Sequence, residues 1–121
     1  MIRSDGTPIR DYLYVVDAAL AYLDLMQAMA DDEHAVGEAF NFCAHQPISA
    51  LQLVQLIGQI MGRPDLEPDV RGTASHEIPN QSLDATKAAQ LLGWKPRWSL
   101  VDALELTVSW YADLLGPAGT L

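Results

Sequence analysis

The apolar positions of this chain gather into helix-length runs separated by short polar turns. From Asp17 to Ala30 the residues Ala18, Ala19, Leu20, Tyr22, Leu23, Leu25, Met26 and Met29 cover nearly every face of a helix. Such a helix needs burial on more than one side. The charged run Asp31-Asp32-Glu33-His34 ends it. Leu51, Val54, Ile57 and Met61 give a second helix one apolar stripe. Ser49 and Gln52 stand at capping-box spacing at its start, and Gly62 and Pro64 close it. A third, short helix runs from a cap at Asp84 to Gly93. The last helix starts at Ser99, with Asp102 in the capping-box place. Leu100, Leu104, Val108, Tyr111 and Leu115 form its stripe, and Gly116-Pro117 ends it.

Extended segments are few. Ser4-Asp5-Gly6-Thr7-Pro8 has turn composition and leads into an extended stretch, Ile9 to Tyr14. Ala39 to Cys43 is short and mostly apolar, the pattern of a strand covered on both faces. Leu66 to Val70 reads as extended, and Arg71 to Ser82 as loop with a short strand near Pro79 to Leu83. The elements describe one α/β, helix-rich domain over residues 1–121.

Composition narrows the function classes. Half of the 121 residues are apolar and 19% are charged, which suits a folded core. The net charge of −9 disfavours nucleic acid and anionic membrane as partners. It leaves room for a small anionic ligand, which needs only one or two placed arginines. Cys43 is the only cysteine, so no intrachain disulfide forms and a reducing, cytoplasmic setting is expected. No basic region with an apolar core opens the chain, and no apolar run reaches the ~18 residues of a membrane span. His34, His45 and His76 are too scattered to suggest a metal site.

The candidate chemistry lies in two segments. In Arg10-Asp11-Tyr12-Leu13-Tyr14-Val15-Val16-Asp17 a cation stands in the approach to a helix, where it could meet a phosphate. The plain alternative is a surface Arg paired with Asp11 or Asp17. The second segment is His76-Glu77-Ile78-Pro79-Asn80-Gln81-Ser82-Leu83-Asp84-Ala85-Thr86-Lys87-Ala88. There a carboxylate could accept hydrogen bonds from a cis-diol, or simply be a solvated loop Glu.

These segments, followed by Leu92-Gly93-Trp94-Lys95-Pro96, resemble motifs of the extended short-chain dehydrogenase/reductases that act on sugar nucleotides. The pattern looks closest to CDP-glucose 4,6-dehydratase-like members, with GDP-mannose 4,6-dehydratases and UDP-sugar 4-epimerases as neighbours. The resemblance implies the C-terminal, substrate-binding portion of such an enzyme, without its N-terminal dinucleotide-binding domain and without a complete Rossmann domain. By the same resemblance Arg10 contacts the diphosphate of a nucleotide sugar and Glu77 the ribose hydroxyls. His76 could join Glu77. Many members carry an Arg two to four residues before the acid; here Thr73, Ala74 and Ser75 occupy those places, and Arg71 could substitute if the loop folds back. Asn41, after Phe40, matches an Asn of the family. It reads first as a buried structural hydrogen-bonder and second as a ligand contact.

Two family features are absent from these 121 residues. No G-x-x-G-x-x-G or G-x-G-x-x-G follows a strand, and no tyrosine has a lysine four residues on, so the Tyr-x-x-x-Lys pair is missing. No catalytic residue is therefore assigned, and NAD or NADP, the cofactor of the intact family, is not expected to bind this chain. The expected partner is a nucleotide sugar, weakly held. Unpartnered apolar surface implies a homo-oligomer or pairing with a separate N-terminal half. The alternative is a non-catalytic oligomerisation or interaction module derived from the family.

Overall fold

A computed structural model describes residues 1–31 and 33–116. Among these residues are four helices, α1 (Val15–Asp31), α2 (Ala50–Ile60), α3 (Thr86–Leu92) and α4 (Leu100–Leu115), and a small mixed sheet of β1 (Ile9–Asp11), β2 (Pro47–Ser49) and β3 (Asn80–Gln81). A single 3₁₀ turn, Glu33–Ala35, follows α1. The strand order is β2-β1-β3. β2 runs antiparallel to β1 and β3 parallel to it. Residues 2–4 also lie along 69–74: Ile2 bridges Val70, and the Arg3 carbonyl accepts from the amides of Thr73 (2.8 Å) and Ala74 (3.0 Å).

Local chemistry accounts for the helix ends. At α2, Ser49 Oγ accepts from the Gln52 amide while Gln52 Oε1 accepts from the Ser49 amide, a complete capping box. Ser99 Oγ accepts from the Asp102 amide and donates to its carboxylate. Asp84 acts one step outside the expected place. Ala85 holds the cap position of α3, and Asp84 Oδ1 accepts from the Thr86 amide at 2.8 Å. Gly93 ends α3 at φ 65°, a left-handed conformation that glycine takes without steric cost. Gly6, at φ 85°, is needed twice: a side chain there would also come within 3.0 Å of Leu51 Cβ.

The expected strand at Ala39–Cys43 is not one. Residues 38–44 form no ladder, because both edges of β1 are already taken, by 47–49 and 80–81. Side chains hold the segment instead. Lys87 Nζ pairs with Glu38 (2.6 Å), donates to the Ala39 carbonyl (2.9 Å) and lies 4.7 Å from the Phe40 ring centroid. Phe42 meets Trp94 edge-on at 5.1 Å. Cys43 is buried and donates to the Leu83 carbonyl. The core therefore consists of Ala21, Cys43, Ala85, Ala88 and Trp94, flanked by Leu13, Phe40, Phe42 and Leu92. Its small residues let α1 and α3 approach closely.

The helix apolar on nearly every face has only one side covered. Asp17 and Ala21 are buried, whereas Val15, Ala19, Tyr22, Met26 and Met29 form an exposed stripe at alternating four- and three-residue spacing. The α4 stripe is covered only in part. Leu100, Leu104 and Val108 are half-buried, while Tyr111 and Leu115 are exposed. α4 packs on α2 and outruns it, at 16 residues against 11, or about 24 Å against about 16 Å of helix. The terminating Pro117, and Asp32 in the charged run after α1, lie outside the described residues. No helix among those residues is long and apolar enough to cross a membrane.

Candidate ligand site

The parallel pairing of β1 with β3 brings the two candidate segments together. Ile9 lies opposite Asn80 and Arg10 opposite Gln81, and the Ile9 amide donates to the Pro79 carbonyl at 2.8 Å. The half-buried Arg10 guanidinium donates through Nη1 to the carbonyls of Ile9 (2.7 Å) and Ile78 (2.9 Å). Arg10 is thus anchored one residue along from Glu77, and its remaining N–H groups are available to an acceptor.

Neither neighbouring aspartate pairs with Arg10. Asp11 accepts from the backbone amides of His45 (3.1 Å) and Gln46 (3.3 Å), and Gln46 Oε1 in turn accepts from the first amide of α4, Leu100. Asp17 is buried and accepts from the amides of Arg97 (2.9 Å) and Trp98 (3.4 Å). Both acids are tie-points for distant backbone. This leaves Arg10 free of a carboxylate partner among the described residues.

Glu77 is exposed and lines a mostly polar cavity of about 340 Å³ with Arg3, Thr73, Ala74 and Ser75. His76 is exposed beside it, with a left-handed φ of 63° that turns the loop. Arg71 does not line this cavity. Its guanidinium engages Asp69, with Nε–Oδ2 at 2.7 Å. Asn41 was expected to be buried and is exposed, because its segment is not a strand inside a covered sheet. The β1–β3 pairing therefore brings Arg10 to the backbone of the loop that carries His76 and Glu77. It leaves Arg71 in its own ion pair and Asn41 in a different segment.

Arg3 is the residue that motif reading passes over. It precedes the Ser4-Asp5-Gly6 turn and matches no motif, and its neighbours in the cavity are about seventy residues away in the chain. The only signal for it is the excess of acids, which makes any unpaired arginine noteworthy.

The other polar groups serve structure. Burial pushes the Cys43 thiol up from its ordinary range, with the nearby Asp11 charge acting in the same direction. Its Sγ lies 3.5 Å from His45 Nδ1. The Lys87 ammonium holds the Glu38 carboxyl below its ordinary value. Among the described residues no cluster of three or more His, Cys, Asp or Glu could hold a metal ion. The strand-to-helix junctions Tyr12–Tyr14, Ser49–Ala50 and Ser82–Ala85 contain no glycine.

No family model matches the chain. Similar proteins do. It is 32% identical over 111 residues to the low-salt glycan biosynthesis protein Agl12 of Haloferax volcanii, covering 91% of this chain and 34% of that protein. It is also 32% identical over 123 residues to dTDP-glucose 4,6-dehydratase of Haemophilus influenzae, covering 91% and 34%. Among solved structures, the UDP-glucose 4-epimerase of Thermotoga maritima with UDP-glucose superposes at a TM-score of 0.78 and 32% identity, over 95% of this chain and 35% of that one. The chain spans about a third of the length of the relatives it matches.

Proposed function

We propose that the chain belongs with the sugar-nucleotide epimerases and dehydratases of the extended short-chain dehydrogenase/reductase family and is their substrate-binding portion. Its ligand is a nucleotide sugar. The observation that carries this reading is the β1–β3 pairing, which sets the Arg10 guanidinium on the Ile78 carbonyl beside Glu77. A cation and a carboxylate so joined match the two ends of a nucleoside diphosphate. Arg10 meets a phosphate through charge-assisted hydrogen bonds, and the two oxygens of Glu77 meet the two ribose hydroxyls. His76 stands where it could add a contact.

The base is open between uracil, thymine, cytosine and guanine. The relatives above include both dTDP- and UDP-sugar enzymes, and the motif pattern leans toward CDP-sugars. With no Tyr-x-x-x-Lys pair in these residues, the reading assigns binding and no chemical step to this chain. NAD and NADP should not bind it.

Calorimetry with UDP, CDP and GDP tests the proposal. Weak binding should fall roughly tenfold or more in Arg10→Ala, the worth of one lost charge-assisted contact. Glu77→Gln should weaken the nucleotides but leave inorganic pyrophosphate unchanged. Equal affinity in wild type and Arg10→Ala would refute the assignment.

A second reading has its own support. The exposed α1 stripe of Val15, Ala19, Tyr22, Met26 and Met29 has no partner among the described residues. Between Tyr12–Val16 and α4 lies a mostly apolar groove of about 790 Å³ that includes Trp110 and Tyr111. Apolar surface of this extent favours association, with a second copy or with a separate N-terminal half.

A further inference from the structure

We infer that two copies of this chain pair through α1, antiparallel across a two-fold axis, with Tyr22 of each copy against Met26 of the other. The inference rests on the association reading and names its partner. It does not depend on the nucleotide site.

The charges of α1 are sorted to one side. Asp17, Asp24 and Asp31 recur every seven residues, so they lie in one line along the helix. That line faces the rest of the fold. Asp17 is buried on the Arg97 and Trp98 amides, and Asp24 meets the Arg97 guanidinium. The opposite face holds Val15, Ala19, Tyr22, Met26 and Met29 and no charged side chain. In a chain of net charge −9, this decides which partner fits. Two copies can meet here without setting acid against acid. A bilayer surface fits poorly, because α1 has no Lys or Arg to flank a buried apolar face. A cationic partner would find no acid on it.

The spacing of the stripe gives the arrangement. Alternating steps of four and three residues form the seam of a helix pair. Run antiparallel, this seam has a register that sets Tyr22 opposite Met26 and Ala19 opposite Met29. Each contact then occurs twice, as a two-fold interface requires. The methionine sulfur meets the tyrosine ring, a favourable contact, and the smallest residue faces a long, adaptable one. A parallel pair would instead set Tyr22 on Tyr22 and Ala19 on Ala19, crowding one layer and leaving a void in the next.

The area suffices. Val15, Val16, Tyr22, Leu23, Met26 and Met29 are between 37% and 75% exposed. At on the order of 100 Å² apiece, two copies bury about 1,200 Å² in all, above the roughly 1,000 Å² that marks a specific interface.

The test uses the full chain. Light scattering should give a species of twice 13.2 kDa. Tyr22→Lys should weaken it about hundredfold or more, since each copy loses a buried aromatic, and circular dichroism checks that the variant is folded. Oxidative cross-linking reads the orientation. An equal mixture of Ala19→Cys and Met29→Cys chains should cross-link. Ala19→Cys alone should not, because its two copies lie about 15 Å apart along the pair. The native Cys43 is buried and takes no part. A dimer that cross-links through Ala19→Cys alone, or that Tyr22→Lys leaves intact, would overturn this pairing and leave the association reading standing. A monomer at millimolar concentration would overturn both.

Discussion

Replacing Asp17 with Ala should be the most damaging single-residue change in α1, and the structure sets the scale. The carboxylate is buried at 2% exposure and accepts from the Arg97 amide at 2.9 Å and the Trp98 amide at 3.4 Å. These two bonds pin the turn between α3 and α4 onto the first turn of α1. A hydrogen bond to a charged group contributes about 1.5–3 kcal/mol, and the longer bond counts at the low end of the neutral range, about 0.5–1 kcal/mol. Asp17→Ala should therefore cost about 2–4 kcal/mol. With a urea m-value of about 2 kcal/mol/M, the midpoint should drop by roughly 1–2 M. Asp17→Asn, which keeps one acceptor oxygen, should recover part of the loss. Asp24 is an internal control, since it lies on the same helix and also binds Arg97. Its contact is an exposed ion pair of 3.3 Å to the guanidinium, so Asp24→Ala should cost less than about 1 kcal/mol. Equal midpoints for the two alanine variants would refute the reasoning, because burial and the backbone donors would then have made no difference.

Other outcomes follow from the same geometry. Cys43 should react with a thiol reagent far more slowly in the native chain than in urea, since burial both shields the thiol and raises its pKa; equal rates would contradict its place in the core. Asp5, Glu38, Asp65 and Asp84 all have lowered pKa values, through hydrogen bonds to Thr7, Lys87, Arg63 and Thr86. Their contribution to stability is fully present above their ordinary values of 3.8–4.5 and is lost as pH falls through the lower folded values, so thermal melts should decline below about pH 4.5 and Glu38→Gln should flatten that decline. Light scattering over a dilution series should show a species larger than 13.2 kDa that loses mass when Tyr22 and Met26 are made polar; a monomer at high concentration would sink the association reading.

What was legible in the sequence was mostly local. The Ser49–Gln52 box, the Ser99 cap and the Gly93 helix end depend on residues within a few positions of one another, and the structure has all three. Ala39–Cys43 was misread because strand formation depends on a free edge, and β1 gives its edges to other segments. The apolar character of α1 was visible, but which face would be covered was not. The inward face is built on Asp17 and Ala21, and only the long-range bonds to Arg97 and Trp98 explain why a carboxylate belongs there. Arg10 and Glu77 are candidates from motif chemistry alone, and the contact between their segments follows from a parallel pairing about seventy residues apart in the chain. Arg3 belongs to no local pattern and becomes visible only in the folded cavity.

The central claim is that the loop joined to β1 is a nucleotide-sugar site. It is tested most directly by following backbone amide resonances of the chain as UDP, and then UDP-glucose, is added. The account predicts shifts concentrated at Ile9–Asp11 and Thr73–Gln81, saturating together and lost in Arg10→Ala. Shifts that bypass both segments, or that survive Arg10→Ala unchanged, would contradict it.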